Sequence, residues 1–411
     1  MQGTAELLFS GDELLRGDTL NTNQLYLAAK LVDLGLLVTH SLCVADDLTM
    51  MREAIQDSLA RQPAVLVLSG GLGPTEDDLT REAVATTLGL PLELHQDILE
   101  AIRARFTSRG HKMSDTNTKQ ALLPQGAQIL PFSGTAPGFS LKTGPTMLIA
   151  LPGVPWELKD MWETHAEPLV RDHAGGAAYE VRRLRTSGLG ESLLAQTLAE
   201  IDWRGSSVSL GTRADLDGIT IILRSEASPE GIRKLDALQE HIAALLGDRI
   251  YSLQNESLPE VIGLLLRDSG LTIGVAESCT GGLLGKLLTD VSGSSEYFLG
   301  GVTAYHNQVK SAVLGVPEDL LATRGAVSEE VAAAMAEGVC RATGADCGLS
   351  TTGIAGPDGG SDDKPVGLVY VGCTIGDETT VERLHLFGGR DQVRGRAAFC
   401  ALDLLRRRLP T

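Results

Sequence analysis

The segment TIGVAESCTGGLLGKLLTD (272–290) holds the first residues in this chain whose types and spacing suit chemistry. Its apolar run predicts a strand, Ser278 and Thr280 fall at a sharp turn, and Gly281–Gly282 open a helix. The first N–H groups of a helix lack intrahelical partners and carry the positive end of its dipole. A hydroxyl placed there suits a nucleophile, because amides at the Gly281–Gly282 helix start could hold the oxyanion that its attack creates. Serine and threonine are also ordinary helix caps, so this segment alone leaves both roles open. Cys279 is a rival nucleophile, stronger as a thiolate, but no histidine stands at a position that would activate it.

Three further segments bear on the choice. GGVTAYHNQVK (300–310) puts Tyr305 and Lys310 on a strand-to-helix passage. A lysine can take the serine proton if burial lowers its pKa, whereas most lysines are simply solvated. STTGIAGPDGG (350–360), with Thr352 and Gly353, is a hydroxyl- and glycine-rich loop that would let backbone amides approach a ligand, or would serve as a long turn. FGGRDQVRGRAAF (387–399) places Arg390, Arg394 and Arg396 at the start of the last helix, where phosphate is well received.

A second constellation lies near the N-terminus. SGDELLRGDTLNTNQ (10–24) and SGGLGPTEDDLTREAV (69–84) each follow a strand-like run. Gly70, Gly71 and Gly73 form a glycine turn whose amides could cradle a phosphate. Glu76, Asp77 and Asp78 follow, either as the usual acid enrichment of a helix start or as ligands of a divalent cation bridging to that phosphate. Asp12 would supply another ligand if both turns meet at the carboxyl edge of one sheet.

The elements that must position these residues read as α/β throughout. Residues 4–170 alternate strands (5–11, 36–44, 64–71) with amphipathic helical stretches (20–35, 48–62), and AVLVLSGG is apolar enough to be covered on both faces of a parallel sheet. A three-layer α/β domain follows for residues 1–170. The small, polar run RDHAGGAAYE (171–180) predicts a linker. A small α+β domain over 175–250 carries the alternating run 218–225 and a helix near 230–246. After a break near 251–260, residues 255–411 return to α/β alternation and close on a helix near 391–408.

The chain has 411 residues, with 35 Lys plus Arg against 53 Asp plus Glu, a net charge of −18. That balance argues against nucleic acid and anionic membrane as main partners, while one local cationic pocket would still serve a small phosphorylated ligand. No basic region followed by an apolar stretch opens the chain, and no run reaches the roughly eighteen apolar residues of a membrane helix. Six scattered cysteines without a CxxC pair fit reduced thiols in a cytoplasmic protein.

The strings AESCTGG, GSSEYF, VTAYHNQVK, GAVS and TGIAGPDGGSDDKPVG, in this order, resemble the C-terminal domain of the CinA family. The resemblance implies hydrolysis of nicotinamide mononucleotide to nicotinic acid mononucleotide and ammonia, without a metal. Carried onto this chain, it makes Ser278 the nucleophile, Lys310 its general base and Tyr305 an aid to proton transfer. Thr280, Gly281, Gly282, Ser295, Thr352, Gly353 and Arg390 would lie around the substrate. The chain reads FGGR where relatives often read FSGDR, one residue longer, which loosens the Arg390 match. Residues 4–170 resemble the molybdopterin-binding family and its CinA branch, which implies metal-dependent hydrolysis (Mg, Mn or Co) of ADP-ribose to AMP and ribose 5-phosphate, with Asp78 at the metal-linked position. The middle unit resembles the KH-like domain of the same proteins. SGLGES (187–192) lacks a GxxG loop and Arg182, Arg183 and Arg185 are few, so a spacer or dimerisation element is expected rather than a nucleic-acid site. A cytoplasmic homodimer is the expected form. Two other readings stay open: a molybdopterin nucleotidyltransferase with an inert C-terminal domain, and a non-enzymatic interaction protein of competence or DNA damage.

Overall fold

Alternation of apolar side chains decides the N-terminal sheet. The computed structural model describes residues 3–174, 179–201, 203, 207–215 and 217–409. In strand β1 (Thr4–Ser10), Ala5, Leu7 and Phe9 enter one core while Leu8 enters another. Helices α1 (Asp12–Arg16) and α2 (Thr22–Asp33), strand β2 (Leu37–Val44), helix α3 (Leu48–Ala60) and strand β3 (Val65–Ser69) follow. Beyond them come α4 (Thr80–Leu88), the short pair β4 (Leu92–Leu94) and β5 (Leu122–Pro124), α5 (Gln96–Ser108), and strands β6 (Gln128–Leu130), β7 (Gly138–Thr143) and β8 (Thr146–Leu151). Val65 and Val67 of β3 join Ala5's core, and Leu66 and Leu68 join Leu8's. Helix α2, with α6 (Pro155–Met161) and α7 (Glu167–Ala174), covers one face through Leu27, Leu31, Leu158 and Val170. Helices α3, α4 and α5 cover the other through Met51, Ile55, Val84 and Ile102. These are the three layers expected.

The sheet order is β2-β1-β3-β8-β7-β6. Its first four strands are parallel, but β7 and β6 run antiparallel. The strand AVLVLSGG is flanked by parallel neighbours as expected. The sheet turns antiparallel only beyond β8, where Thr143 pairs with Thr146 across Gly144–Pro145, a two-residue connection that only antiparallel strands allow. The expected linker 171–180 is also shorter. Helix α7 runs to Ala174 and strand β9 (Tyr179–Thr186) starts five residues later, with 175–178 outside the described residues.

The chain divides into two compact units, Met1–Glu180 and Val181–Thr411. The second unit begins with the sheet β10-β11-β9-β12, built from β9, β10 (Ser209–Asp215), β11 (Gly218–Glu226) and β12 (Ile250–Ser252). Helices α8 (Glu191–Ala199) and α9 (Pro229–Leu246) pack on it through Leu194, Leu235 and Ile242. Helix α9 opens on Ser228, whose hydroxyl accepts from the Gly231 N–H at 3.0 Å.

The same unit continues through α10 (Leu258–Ser269), β13 (Ile273–Glu277), α11 (Leu283–Thr289), β14 (Phe298–Thr303), α12 (Asn307–Leu314), α13 (Glu318–Arg324) and α14 (Glu329–Thr343). Strands β15 (Cys347–Gly353), β16 (Leu368–Ile375) and β17 (Glu378–His385) and helix α15 (Arg390–Arg406) complete it. The sheet order is β14-β13-β15-β16-β17, parallel over the first three strands. Ile273, Val275 and Leu349 pack toward α10, α11 and α15, whereas Ala276 faces α12 and α14. Gly338 of α14 lies against the carbonyl of Leu314 so closely that a Cβ would collide with it. Glycine is therefore required where α12 meets α14. No described helix is long and apolar enough to cross a membrane.

Candidate functional site

Parallel register puts the chemistry at one sheet edge. Glu277, the last residue of β13, pairs with Thr303 of β14 and Thr351 of β15. The residues just beyond these three positions therefore emerge together: Ser278, the passage Ala304–Tyr305, and Thr352–Gly353. This is where open α/β sheets bind ligands. Ser278 is held by its N–H, which donates to Thr351 O at 2.9 Å. The turn then needs left-handed backbone at Gly281 (φ 62°) and Gly282 (φ 98°), which glycine adopts without a Cβ penalty.

Lys310 sits in the first turns of α12 and is 1% exposed. Its Nζ lies 3.1 Å from Ser278 Oγ and donates to Ala304 O at 2.7 Å. It forms no ion pair among the described residues, and burial lowers its pKa below the ordinary lysine value. Cys279 is 6% exposed, and burial pushes its thiol up to about 11. The thiolate needed for a cysteine nucleophile is thus disfavoured, while the Ser278 hydroxyl has a buried amine within 3.1 Å.

A cavity of about 290 Å³ opens on this pair, lined by Ser278, Tyr305, Asn307, Lys310, Thr352, Gly353 and Arg390 among others. Arg390, the first residue of α15, donates to Gly356 O at 2.8 Å and to Tyr305 Oη at 3.1 Å. It has no carboxylate partner among the described residues. Thr352 Oγ1 donates to Ala326 O at 2.7 Å, and Lys364 Nζ reaches the carbonyls of Arg324 and Val327, both at 2.7 Å. Lys364, which the sequence did not single out, ties the segment after the glycine-rich loop to the α13–α14 connection through these two bonds.

Other sequence candidates lie elsewhere. Thr280 is buried behind the turn, its hydroxyl 2.6 Å from that of Thr351 and its carbonyl accepting from Arg394 at 2.8 Å. Ser295 is exposed in a short helical turn outside the cavity. Arg396 stacks on the Phe387 ring, 4.2 Å from its centroid. Of the three arginines, only Arg390 reaches the cavity. The oxyanion role expected of the Gly281–Gly282 helix start needs correction at Gly282. Buried Glu277 accepts from the N–H groups of Gly282 (2.9 Å), Leu284 (3.0 Å) and Gly285 (2.9 Å), so this carboxylate already occupies those amides. The sequence signal was available: an acid at the strand end, five residues before a glycine-opened helix.

In the N-terminal unit, the glycine turn lines a cavity of about 490 Å³ with Ser10, Gln120 and Gly153. Gly70 (φ 106°) and Gly71 (φ 62°) are left-handed, and Thr80 Oγ1 donates to Gly70 O at 2.7 Å. Beneath the turn, Arg81 is fully buried and donates to the carbonyls of Leu72 and Gly73. Burial lowers its pKa to about 10, so it stays charged at neutral pH. The expected metal ligands do not fit a shared ion. Asp78 turns back to accept from Gly73 N at 2.7 Å and from the N–H and hydroxyl of Thr75. Asp12 pairs with Arg16 at 2.6 Å, and its carboxylate also accepts from the Asp46 N–H at 3.3 Å while its own N–H donates to the Asp46 carboxylate at 3.0 Å. No three His, Cys, Asp or Glu side chains among the described residues group to hold a metal ion.

A larger cavity, about 720 Å³, lies among α10, α11 and α15 with an apolar floor of Leu258, Leu283 and Leu287; the hydroxyl–carboxylate pair in its lining, Ser257 donating to Glu260 at 2.7 Å, is the capping box that opens α10.

Comparison with known proteins decides the family. The chain is 42% identical over 420 residues to a putative competence-damage inducible protein of Symbiobacterium thermophilum, covering 98% of each. This chain belongs to the CinA family. A CinA-like protein of a Nostoc species is 43% identical over 425 residues, covering 99% of this chain and 100% of its own. Three family models match in sequence: the probable molybdopterin binding domain at 6–172, the damage-inducible protein CinA KH domain at 181–252, and the CinA C-terminal domain at 255–409. Among solved structures, the competence/damage inducible protein CihA from Agrobacterium tumefaciens is 38% identical, with a TM-score of 0.35, covering 36% of this chain and 91% of its own.

Proposed function

We propose that the C-terminal domain of this CinA-family chain is a serine amidohydrolase acting on nicotinamide mononucleotide. The carrying observation is Lys310 Nζ, buried, without a carboxylate partner, and 3.1 Å from Ser278 Oγ. As a neutral amine it receives the Ser278 proton while Oγ attacks the carboxamide carbon. Collapse of the tetrahedral species breaks the C–N bond, and the proton passes from Lys310 to the departing nitrogen as ammonia leaves. Water then attacks the acyl-serine, giving its proton to Lys310, and Ser278 is regenerated with release of the carboxylic acid. Tyr305, bonded to Arg390, flanks this path. Arg390, a cation without a carboxylate at the cavity wall, suits a phosphate on the substrate.

The test incubates the full chain with nicotinamide mononucleotide and follows ammonia and nicotinic acid mononucleotide. Ser278→Ala should abolish turnover. Lys310→Arg should not restore what Lys310→Ala loses, since arginine stays charged and cannot accept the proton. An active Lys310→Arg enzyme would remove the lysine from the mechanism.

A second reading concerns the N-terminal unit. The Gly70 N–H is engaged by Leu151 O and the Gly73 N–H by Asp78. What favours a phosphorylated nucleotide at this cavity is therefore the left-handed Gly71 and the buried Arg81 cation, and we propose ADP-ribose as the compound turned over there. Because Asp12 and Asp78 do not converge on an ion, we assign no catalytic step to a metal held by them. Product analysis with ADP-ribose, with and without added Mg, Mn or Co, tests this; no AMP under any condition withdraws the activity.

A further inference from the structure

Attack on a carboxamide places negative charge on its oxygen, and an amidase needs a donor aimed there. In this chain several of the obvious donors are already engaged. The N–H groups of Gly282, Leu284 and Gly285 end on Glu277, and that of Ser278 ends on Thr351 O. Around the cavity, Thr352 donates to Ala326 O, Lys310 to Ala304 O, and Arg390 to Gly356 O and Tyr305. Asn307 also lines the cavity, and its side-chain amide makes no hydrogen bond among the described residues. It is the first residue of α12, one turn before Lys310. Residues three apart share a helix face, and side chains lean toward the helix N-terminus, so Asn307 stands beside the base at the open side of the cavity.

Resting on the Ser278/Lys310 reading, we propose that Asn307 is a catalytic residue whose Nδ2–H donates to the carbonyl oxygen of the scissile amide. A neutral donor suits this place. It tightens its bond as the oxygen gains charge, and it does not compete with neutral Lys310 for the proton. Asn307 is exposed at a helix start, so replacing it should leave the fold intact.

The experiment uses the full chain and measures kcat and KM for nicotinamide mononucleotide separately. Asn307→Ala should lower kcat by about 10²–10³, the usual effect of removing one oxyanion donor, with little change in KM. Asn307→Asp, which sets a carboxylate against the oxyanion, should be no better. The rate at which a fluorophosphonate labels Ser278 is a second readout, since attack at phosphorus also charges an oxygen; Asn307→Ala should slow it. An unchanged kcat and labelling rate, or a loss confined to KM, would overturn the proposal while leaving the Ser/Lys reading standing. If nicotinamide mononucleotide is not turned over but Ser278 is labelled, and Asn307→Ala slows labelling, the substrate assignment falls and the donor role stands. Wild-type protein that neither turns over nor labels would sink both.

Discussion

Replacing Lys310 by methionine separates what the residue does for catalysis from what it does to stability. Methionine keeps an unbranched stem and removes the amine. Loss of a general base should lower kcat by about 10²–10⁴. Stability should respond differently. Lys310 is 1% exposed, bonded only to neutral oxygens, and its pKa is lowered by burial. In the unfolded chain a lysine titrates near about 10.4, so between the depressed folded pKa and that value the unfolded state holds more protons. Wild-type stability therefore rises with pH across this window, by about 1.36 kcal/mol for each unit by which the pKa is depressed. Lys310→Met has no such slope from this site, but leaves Ala304 O without its donor at a cost of about 1–3 kcal/mol. The stability of the variant minus that of the wild type should thus be most favourable below the folded pKa, then fall as pH climbs toward about 10.4, where only the lost hydrogen bond remains. Other titrating groups cancel in the difference. Urea unfolding of both proteins at a series of pH values, monitored beside ammonia release, reads both effects. A stability difference that does not vary with pH would refute the claim that this lysine is held against its charged form; a methionine variant that still deamidates would refute its role as base.

Cys279→Ala should retain most turnover, since its thiol is held protonated, and loss of activity comparable to Ser278→Ala would reverse the nucleophile assignment. Gly338→Ala should drive α12 away from α14, costing about 1–3 kcal/mol by overpacking and lowering kcat through displacement of Lys310; unchanged thermal stability and kcat would show that the helices absorb the methyl group. Arg390→Ala should raise KM for nicotinamide mononucleotide by about ten- to a hundredfold, the value of a charge-assisted bond of roughly 1.5–3 kcal/mol. The same change should barely affect nicotinamide riboside, which lacks the phosphate, and an equal effect on both would place Arg390 away from it.

The layers were legible because alternation is a local property: AELLFSG and AVLVLSGG declare two buried faces without knowledge of their neighbours. The antiparallel edge of the N-terminal sheet was missed because its cause is the two-residue connection Gly144–Pro145, and strand-like runs alone do not report direction. At the site, Ser278 and Lys310, 32 positions apart in sequence, come together through strand register and helix packing, and only the family resemblance paired them in advance. Register likewise decides what a string cannot: Thr280 and Ser295 have the right residue types but face away from the cavity or lie outside it. Asp12 and Asp78 fail as ligands for a different reason. Short acidic side chains in tight turns satisfy the nearest N–H or guanidinium first, and a pattern of carboxylates does not show which are already engaged.

One physical condition bears on both halves of the proposed nucleophile choice. The turn after β13 is desolvated, and desolvation opposes charge of either sign. It therefore raises the Cys279 thiol toward its inert protonated form and lowers Lys310 toward its proton-accepting neutral form. A helix N-terminus beside the turn would ordinarily favour a thiolate and so work against this selection. Glu277 cancels much of that field by placing a carboxylate on the helix-opening amides. The same carboxylate engages those amides, and on the proposed reading the oxyanion donor is instead Asn307, one turn before Lys310 on α12. On the proposed Ser278/Lys310 reading, burial of the turn favours serine and a neutral lysine, while the acid at the helix start keeps the Gly282 amide from the oxyanion.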